Sequence, residues 1–174
     1  MTRNLLLPLA ILFFLTGCSD SNDALLEKLQ AAVEREELGA DGYQVIALDS
    51  LTDFEWETMY FFQAPEDEKA ISDAIGFKWK GAAVPELNRR LLFVNNGEVV
   101  SFVDYDYTEF PLFVYGCNTD RWVYPRSRSR FATFKYCSGD ETTYPFIPVE
   151  CIDNLREMVE AGCPEGEGAT AAAN

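Results

Sequence analysis

The run Leu91–Val94, Asn95-Asn96-Gly97-Glu98, Val99–Val103 constrains this chain more than any other stretch. An Asn-Gly pair between two apolar segments is the preferred two-residue hairpin turn, because both central residues of that turn take positive φ. Two strands are therefore antiparallel neighbours, and the other elements must be built onto that pair. Upstream, Tyr43–Leu48 reads as a strand. Phe54–Phe62 reads as another, with Phe54, Trp56, Tyr60 and Phe62 on one face and Glu55 and Glu57 on the other. Residues Asp49–Asp53 supply the turn between them. Downstream, Leu112–Tyr115 and Phe131–Tyr136 have the same strand character.

Three helices complete the pattern. Residues Asp23–Leu38 carry Leu25, Leu26, Leu29, Ala32 and Val33 at helical spacing, with Ser21 or Asn22 to cap the start and Gly39 the end. Pro65 is expected to open a second helix with Glu66, Asp67 and Glu68 at its positive end. Ile71, Ala74 and Ile75 form its buried side, Gly76 stops it, and Trp79 follows in a lysine-flanked turn. Pro148 opens a third, Val149–Ala161. The order helix–strand–strand–helix–hairpin–strands–helix indicates a single α+β domain over residues 23–163. Its N-terminal, middle and C-terminal helices are expected on one face of an antiparallel sheet. Residues 164–174 offer nothing to bury and are expected to be a disordered tail.

Composition excludes more than it assigns. With 48% apolar and 14% aromatic residues, 174 residues can build one real core. The 29 acidic residues outnumber 14 basic ones, so no nucleic-acid partner is expected. Histidine is absent, which removes Ser-His-Asp and Cys-His nucleophiles, HExxH zinc sites and histidine pH switches together. There is also no phosphate-binding loop, dinucleotide fingerprint or G-x-S-x-G turn. The expectation is a non-catalytic protein without cofactor or metal. The alternative is a histidine-free hydrolase using paired carboxylates.

The N-terminus gives an address. Arg3 and the apolar run Leu5–Leu15, broken by Pro8, read as a signal peptide over residues 1–17, too short to span a membrane as a helix. The following Leu15-Thr16-Gly17-Cys18 resembles the lipobox of bacterial lipoprotein precursors. That resemblance implies cleavage before Cys18 and acylation of its thiol and amine, palmitate among the usual chains, with residues 18–22 as a lipidated tether. Two or more acyl chains anchor firmly where one does not. In such proteins an Asp directly after the cysteine favours the inner membrane. Ser19 stands there, so the outer membrane, facing the periplasm, is the expected location. The stretch Trp56–Tyr60, Phe62, Pro65, the acidic helix, Trp79 and the Leu92–Val100 hairpin is similar to small uncharacterised bacterial envelope lipoproteins. Those carry a W-D/E-x-x-Y-x-F-x-P pattern. Here the strand ends Phe62-Gln63-Ala64-Pro65, one residue longer before proline, and the resemblance implies no activity.

With Cys18 given to lipid, Cys117, Cys137, Cys151 and Cys163 remain, an even number for an oxidising compartment. In a helix over Val149–Ala161, Cys151 and Cys163 would lie roughly 18 Å apart, whereas bridged Cα atoms lie within about 7 Å. They cannot join each other. Each is expected to staple the last helix to the sheet through Cys117 or Cys137. Cys137–Cys151 with Cys117–Cys163 is favoured by the short loop; Cys117–Cys137 with two free thiols competes.

Two surface leads remain. Arg121, Arg126, Arg128, Arg130 and Lys135 form a basic island interleaved with Trp122, Tyr124, Phe131 and Phe134. Pro125–Arg130 reads as an exposed tip. Its guanidinium groups suit carboxylates or phosphates of an anionic envelope component, such as lipopolysaccharide or peptidoglycan, or an acidic partner protein. Against this stands a solvated loop paired with the protein's own acids. The oxygen-rich Asp104–Glu109 suggests Ca²⁺, but its sixth and twelfth positions are Glu109 and Tyr115 where an EF-hand needs Gly and Glu. Ser138–Glu141 reads as a plain loop.

The anchor makes the first prediction. A Cys18→Ser form should leave the membrane fraction for the soluble one; normal processing with continued membrane partition would refute lipidation.

Overall fold

A computed structural model describes residues 21–35, 37–117 and 122–163. The expected signal peptide, Cys18, Glu36, Arg121 and the expected C-terminal tail lie outside them. The hairpin forms as its turn dictates. Strands β3 (Asn88–Asn95) and β4 (Glu98–Asp106) meet at Asn96 and Gly97, whose φ values are +50° and +74°. Strand β2 (Thr58–Gln63) pairs antiparallel on the other side of β3 and is followed across the sheet by β6 (Val123–Pro125). A second sheet contains β1 (Gln44–Ala47), β7 (Arg130–Thr133), β9 (Glu141–Pro148) and β5 (Leu112–Val114) in that order, with β8 (Tyr136–Ser138) alongside the first part of β9. All pairings are antiparallel except β5 with β9.

Alternation along β2 and β3 decides the layers. Met59, Phe61, Leu91 and Phe93 face Ile46, Leu112, Phe131 and Phe146 of the second sheet in one central core. There the Phe131 and Phe146 rings stack at 4.2 Å, with Tyr124 edge-on to Phe131 at 5.2 Å. The intervening residues Tyr60, Phe62, Leu92 and Val94 are also apolar and point the other way. They are covered by Ile71 and Ile75 of α2 (Glu68–Ile75), with Val84 and Trp79. On the far side of the second sheet, Ala132 and Ile147 pack under Cys151, Ile152, Met158 and Val159. Those belong to a 3-10 segment, Val149–Leu155, and to α3 (Arg156–Ala161).

The α+β class therefore holds, disulfide-stapled and with N-terminal, middle and C-terminal helices. The single sheet with helices on one face does not. Apolar residues on both faces of β2 and β3 require two covers, so the fold is a two-sheet sandwich with α2 and α3 on opposite outer sides. Helix α1 (Asp23–Val33) adds Leu25, Leu29 and Val33 to the central core and starts beside β4. There the Asn22 N–H donates to the Phe102 carbonyl at 2.8 Å, and the Asp104 N–H donates to Ser21 Oγ at 2.9 Å.

Several boundaries move for local reasons. Asn22 caps α1 by accepting from the Leu25 N–H. The helix ends at Val33 instead of Leu38, because the Gln44 amide takes the Val33 and Arg35 carbonyls at 2.9 and 3.1 Å. Phe54 and Trp56 precede β2 and pack edge-on to Phe93, so they do not share a face with Tyr60 and Phe62. Helix α2 starts after Pro65, capped by Asp67; Gly76 ends it at φ +83°, and Ala74 is exposed. The C-terminal helix is 3-10 over its first half.

The cysteine pairing is also corrected. Cys117 joins Cys151 (Cα–Cα 5.9 Å) and Cys137 joins Cys163 (4.7 Å). The parallel register Val114↔Phe146 carries β5 and β9 to the same end of the sheet, where Cys117 and Cys151 follow within a few residues. Helix α3 then runs back beside β8, and the Cys137 N–H donates to the Gly162 carbonyl at 3.4 Å. As expected, both staples bind the last segment and Cys151 does not meet Cys163.

On the outer face of β3, Arg90 is fully buried. Its Nε and Nη2 donate to the two Asp104 oxygens at 2.6 and 2.7 Å, and Nη1 donates to the Ala82 carbonyl at 2.6 Å. Removing one partner of such a pair strands a charge. Asp104→Ala should cost about 3–5 kcal/mol, read as a fall in the urea midpoint at unchanged slope. A loss below about 1 kcal/mol would show the guanidinium to be solvated instead.

Candidate functional site

The arginine stretch is a corner, not a tip. Residues Arg126–Arg128 form a 3-10 turn that carries the chain from β6 in one sheet to β7 in the other. The backbone is held at both ends: Arg126 N–H donates to the Glu57 carbonyl and Leu48 N–H to the Ser129 carbonyl, each at 2.8 Å. Ser129 is buried. The Arg126 guanidinium pairs with Glu55, and Arg128 pairs with Glu150 at 3.1 Å. Two of the three guanidinium groups are thus met by the protein's own acids. Arg130 is exposed and has no ion-pair partner among the described residues. Trp122 is 44% exposed at φ +62°, its ring edge-on to Phe61. Tyr124, Phe131 and Phe134 are buried, so three of the four interleaved aromatic residues do not share a surface with its arginines.

The oxygen-rich stretch is likewise spent internally. Asp104 serves Arg90. Asp106 Oδ1 accepts from the Thr108 hydroxyl at 2.6 Å and the Thr108 N–H at 2.8 Å. Those two bonds, the hydroxyl first, hold the Asp106 carboxyl below its usual range. Among the described residues no cluster of three metal-ligating side chains occurs. Ser138–Glu141 is the turn of the β8–β9 hairpin, with Gly139 at φ +61°.

A cleft lies elsewhere, at the end of the β2–β3–β4 sheet away from the Asn96-Gly97 turn. It encloses about 580 Å³ between Gln63, Ala64 and Pro65 after β2, residues 84 and 86–89 leading into β3, and Tyr107 after β4. Arg89 is among its lining residues. Sheet alternation sends Arg90 outward to Asp104, so its neighbour Arg89 points inward, towards β5 of the second sheet. Arg89 Nη1 donates to the Leu112 carbonyl at 2.9 Å, and its guanidinium carbon lies 3.7 Å from the Phe113 ring centre and 4.8 Å from that of Tyr107.

What Arg89 lacks is a counter-charge. It is 7% exposed and has no carboxylate partner among the described residues. The nearby Tyr105 hydroxyl does not supply one. It donates to the same Leu112 carbonyl at 3.0 Å, and burial pushes its pKa far up, only partly opposed by Arg89. Tyr115 is raised as well, chiefly by burial. Among the described residues, Thr133 Oγ1 is the one buried side-chain N or O atom without a hydrogen bond. Arg89 Nη1 is bonded to the Leu112 carbonyl, the Tyr105 hydroxyl lies against the same guanidinium, and the side chain lines the cleft. Glu86 is the cleft's acid, so no pair of carboxylates faces a substrate there. Asp67 and Glu68 do line a shallower depression, but Asp67 Oδ1 caps α2.

Sequence reasoning passed over Arg89. The available signal was the pair Arg89-Arg90 entering the apolar run Leu91–Val94: in a strand buried on both faces, adjacent arginines place one charge on each side, and each needs a partner. Compared with known families, curated proteins and solved structures, the chain matches none.

Leu87 at the rim is 48% exposed yet held at φ +64°. A left-handed conformation costs a non-glycine residue about 1–2 kcal/mol. Leu87→Gly should therefore raise stability by up to about 1 kcal/mol, since little burial is lost. A fall in melting temperature would mean that the leucine side chain packs where its exposure says it does not.

Proposed function

We propose that this chain is a lipid-anchored, exported and non-catalytic bacterial envelope protein, and that it holds an anionic group of an envelope component or partner protein in the Arg89 cleft. The observation that carries the binding reading is the buried Arg89 guanidinium, open to a cleft and without a carboxylate among the described residues. A buried charge left unpaired is costly. The cost falls if an incoming anion completes the site, and a preformed guanidinium loses little entropy on binding it.

Export is supported by cysteine use. Cys117, Cys137, Cys151 and Cys163 are consumed in two bridges, which belong to oxidising compartments, and Cys18 is left for the lipid that its surroundings suit. The outer membrane remains the favoured location from Ser19. The arginine corner is the weaker surface, since Arg126 and Arg128 already have acids.

The test uses the whole mature chain carrying Cys18→Ser, with Arg89→Gln and Arg130→Glu versions, on envelope fractions at low and high salt. Retention should fall with salt, vanish in Arg89→Gln and persist in Arg130→Glu. Loss only in Arg130→Glu would move the binding surface to the arginine corner, and equal retention of all three would end the cleft reading.

A further inference from the structure

We infer that the anion the Arg89 cleft accepts is a single carboxylate on a short amide-bearing chain, the chemistry of a peptide C-terminus. This rests on the anion-site reading above and adds the ligand class. Three features argue for it.

The first is charge. The cleft holds one guanidinium and one acid, Glu86. A monoanion is matched by Arg89. A phosphate, at nearly two negative charges, would face Glu86 with its surplus, inside a chain that already carries a net charge of −15.

The second is shape. The Phe113 and Tyr107 rings pack against the guanidinium, and Nη1 is taken by the Leu112 carbonyl. Access is left to an edge of the planar fork. A planar carboxylate lying in that plane makes the favoured in-plane contact. No helix start or glycine-rich turn lines the cleft to supply the extra N–H donors that phosphate sites use.

The third is what surrounds the guanidinium. Gln63 stands directly across the ladder from Arg89, so its side-chain amide shares the face of the guanidinium in the same cleft, and it has no hydrogen-bond partner among the described residues. That amide offers both a donor and an acceptor, which is what the peptide unit before a terminal carboxylate requires. Val84 and Leu87 add apolar surface for a small side chain.

The experiment follows the arginine side-chain Nε–H signal of Arg89 by nuclear magnetic resonance in the mature Cys18→Ser chain, assigned by its loss in Arg89→Gln. Four probes are titrated: N-acetyl-alanyl-alanine, its C-terminal amide, acetate and inorganic phosphate. The free acid should move and saturate the signal, binding roughly tenfold or more tightly than the amide, as one charge-assisted contact supplies, and more tightly than acetate or phosphate. Phosphate binding as well as the free acid would overturn the carboxylate assignment while leaving the anion site. Acetate binding as well as the dipeptide would overturn the peptide assignment alone. A signal that no anion moves would overturn the anion site itself. Should Arg89→Gln fail to fold, Arg89→Lys serves for assignment, and the titration of the unsubstituted side chain stands.

Discussion

Everything in this fold follows from β3 having to be dry on both sides. Arg89 through Val94 are buried without a break. A strand of that kind cannot lie on a solvated sheet, so one side receives a second sheet and the other receives α2. The same condition fixes the arginines. Arg89 and Arg90 begin the buried run, and alternation sends one to each face. Outside, Asp104 stands directly across the ladder from Arg90 and neutralises it. Inside, Tyr105 stands across from Arg89 and stays a neutral phenol. The cleft's charge is thus the counterpart of a solved problem on the opposite face.

The outer layer over the second sheet is held differently. Helix α3 has six residues and follows a 3-10 segment, too little for a stable helix by itself. Ile152, Met158 and Val159 pack on Ala132 and Ile147, and a disulfide fixes each end of the segment. Loss of a bridge here would cost about 2–5 kcal/mol, a sizeable part of an ordinary domain's stability.

Local chemistry was the legible part of the sequence. Asn96-Gly97, the Asn22 cap and the Gly76 stop each act through one or two residues, and each stands where its residue type requires. What depends on distant neighbours was harder to read. Strand β9 was hidden by Pro145 and Pro148, which lack an N–H and discount any central strand. With β9 unseen, so was its parallel partnership with β5, and the cysteine pairing went wrong for that reason. The basic island was visible as composition, but Glu55 and Glu150 reach it from far along the chain. Arg89 was hidden because its meaning comes from having no carboxylate partner among the described residues, which only packing reveals.

The way the domain begins sets its reach. Ser21 and Asn22 are bonded to Asp104, Ser101 and Phe102 of β4, so the fold is already gripped three residues after Cys18. Three residues span at most about 10 Å. On the proposed anchor, the body is therefore moored against the bilayer by a very short leash, and it could not sweep the width of the periplasm. Asp104 is two residues along β4 from Asp106, which faces Asn88 at the cleft. On that anchor, the mooring runs along β4, the strand whose last residue borders the cleft. On the proposed anchor and cleft, a ligand would have to come to the membrane surface to be caught.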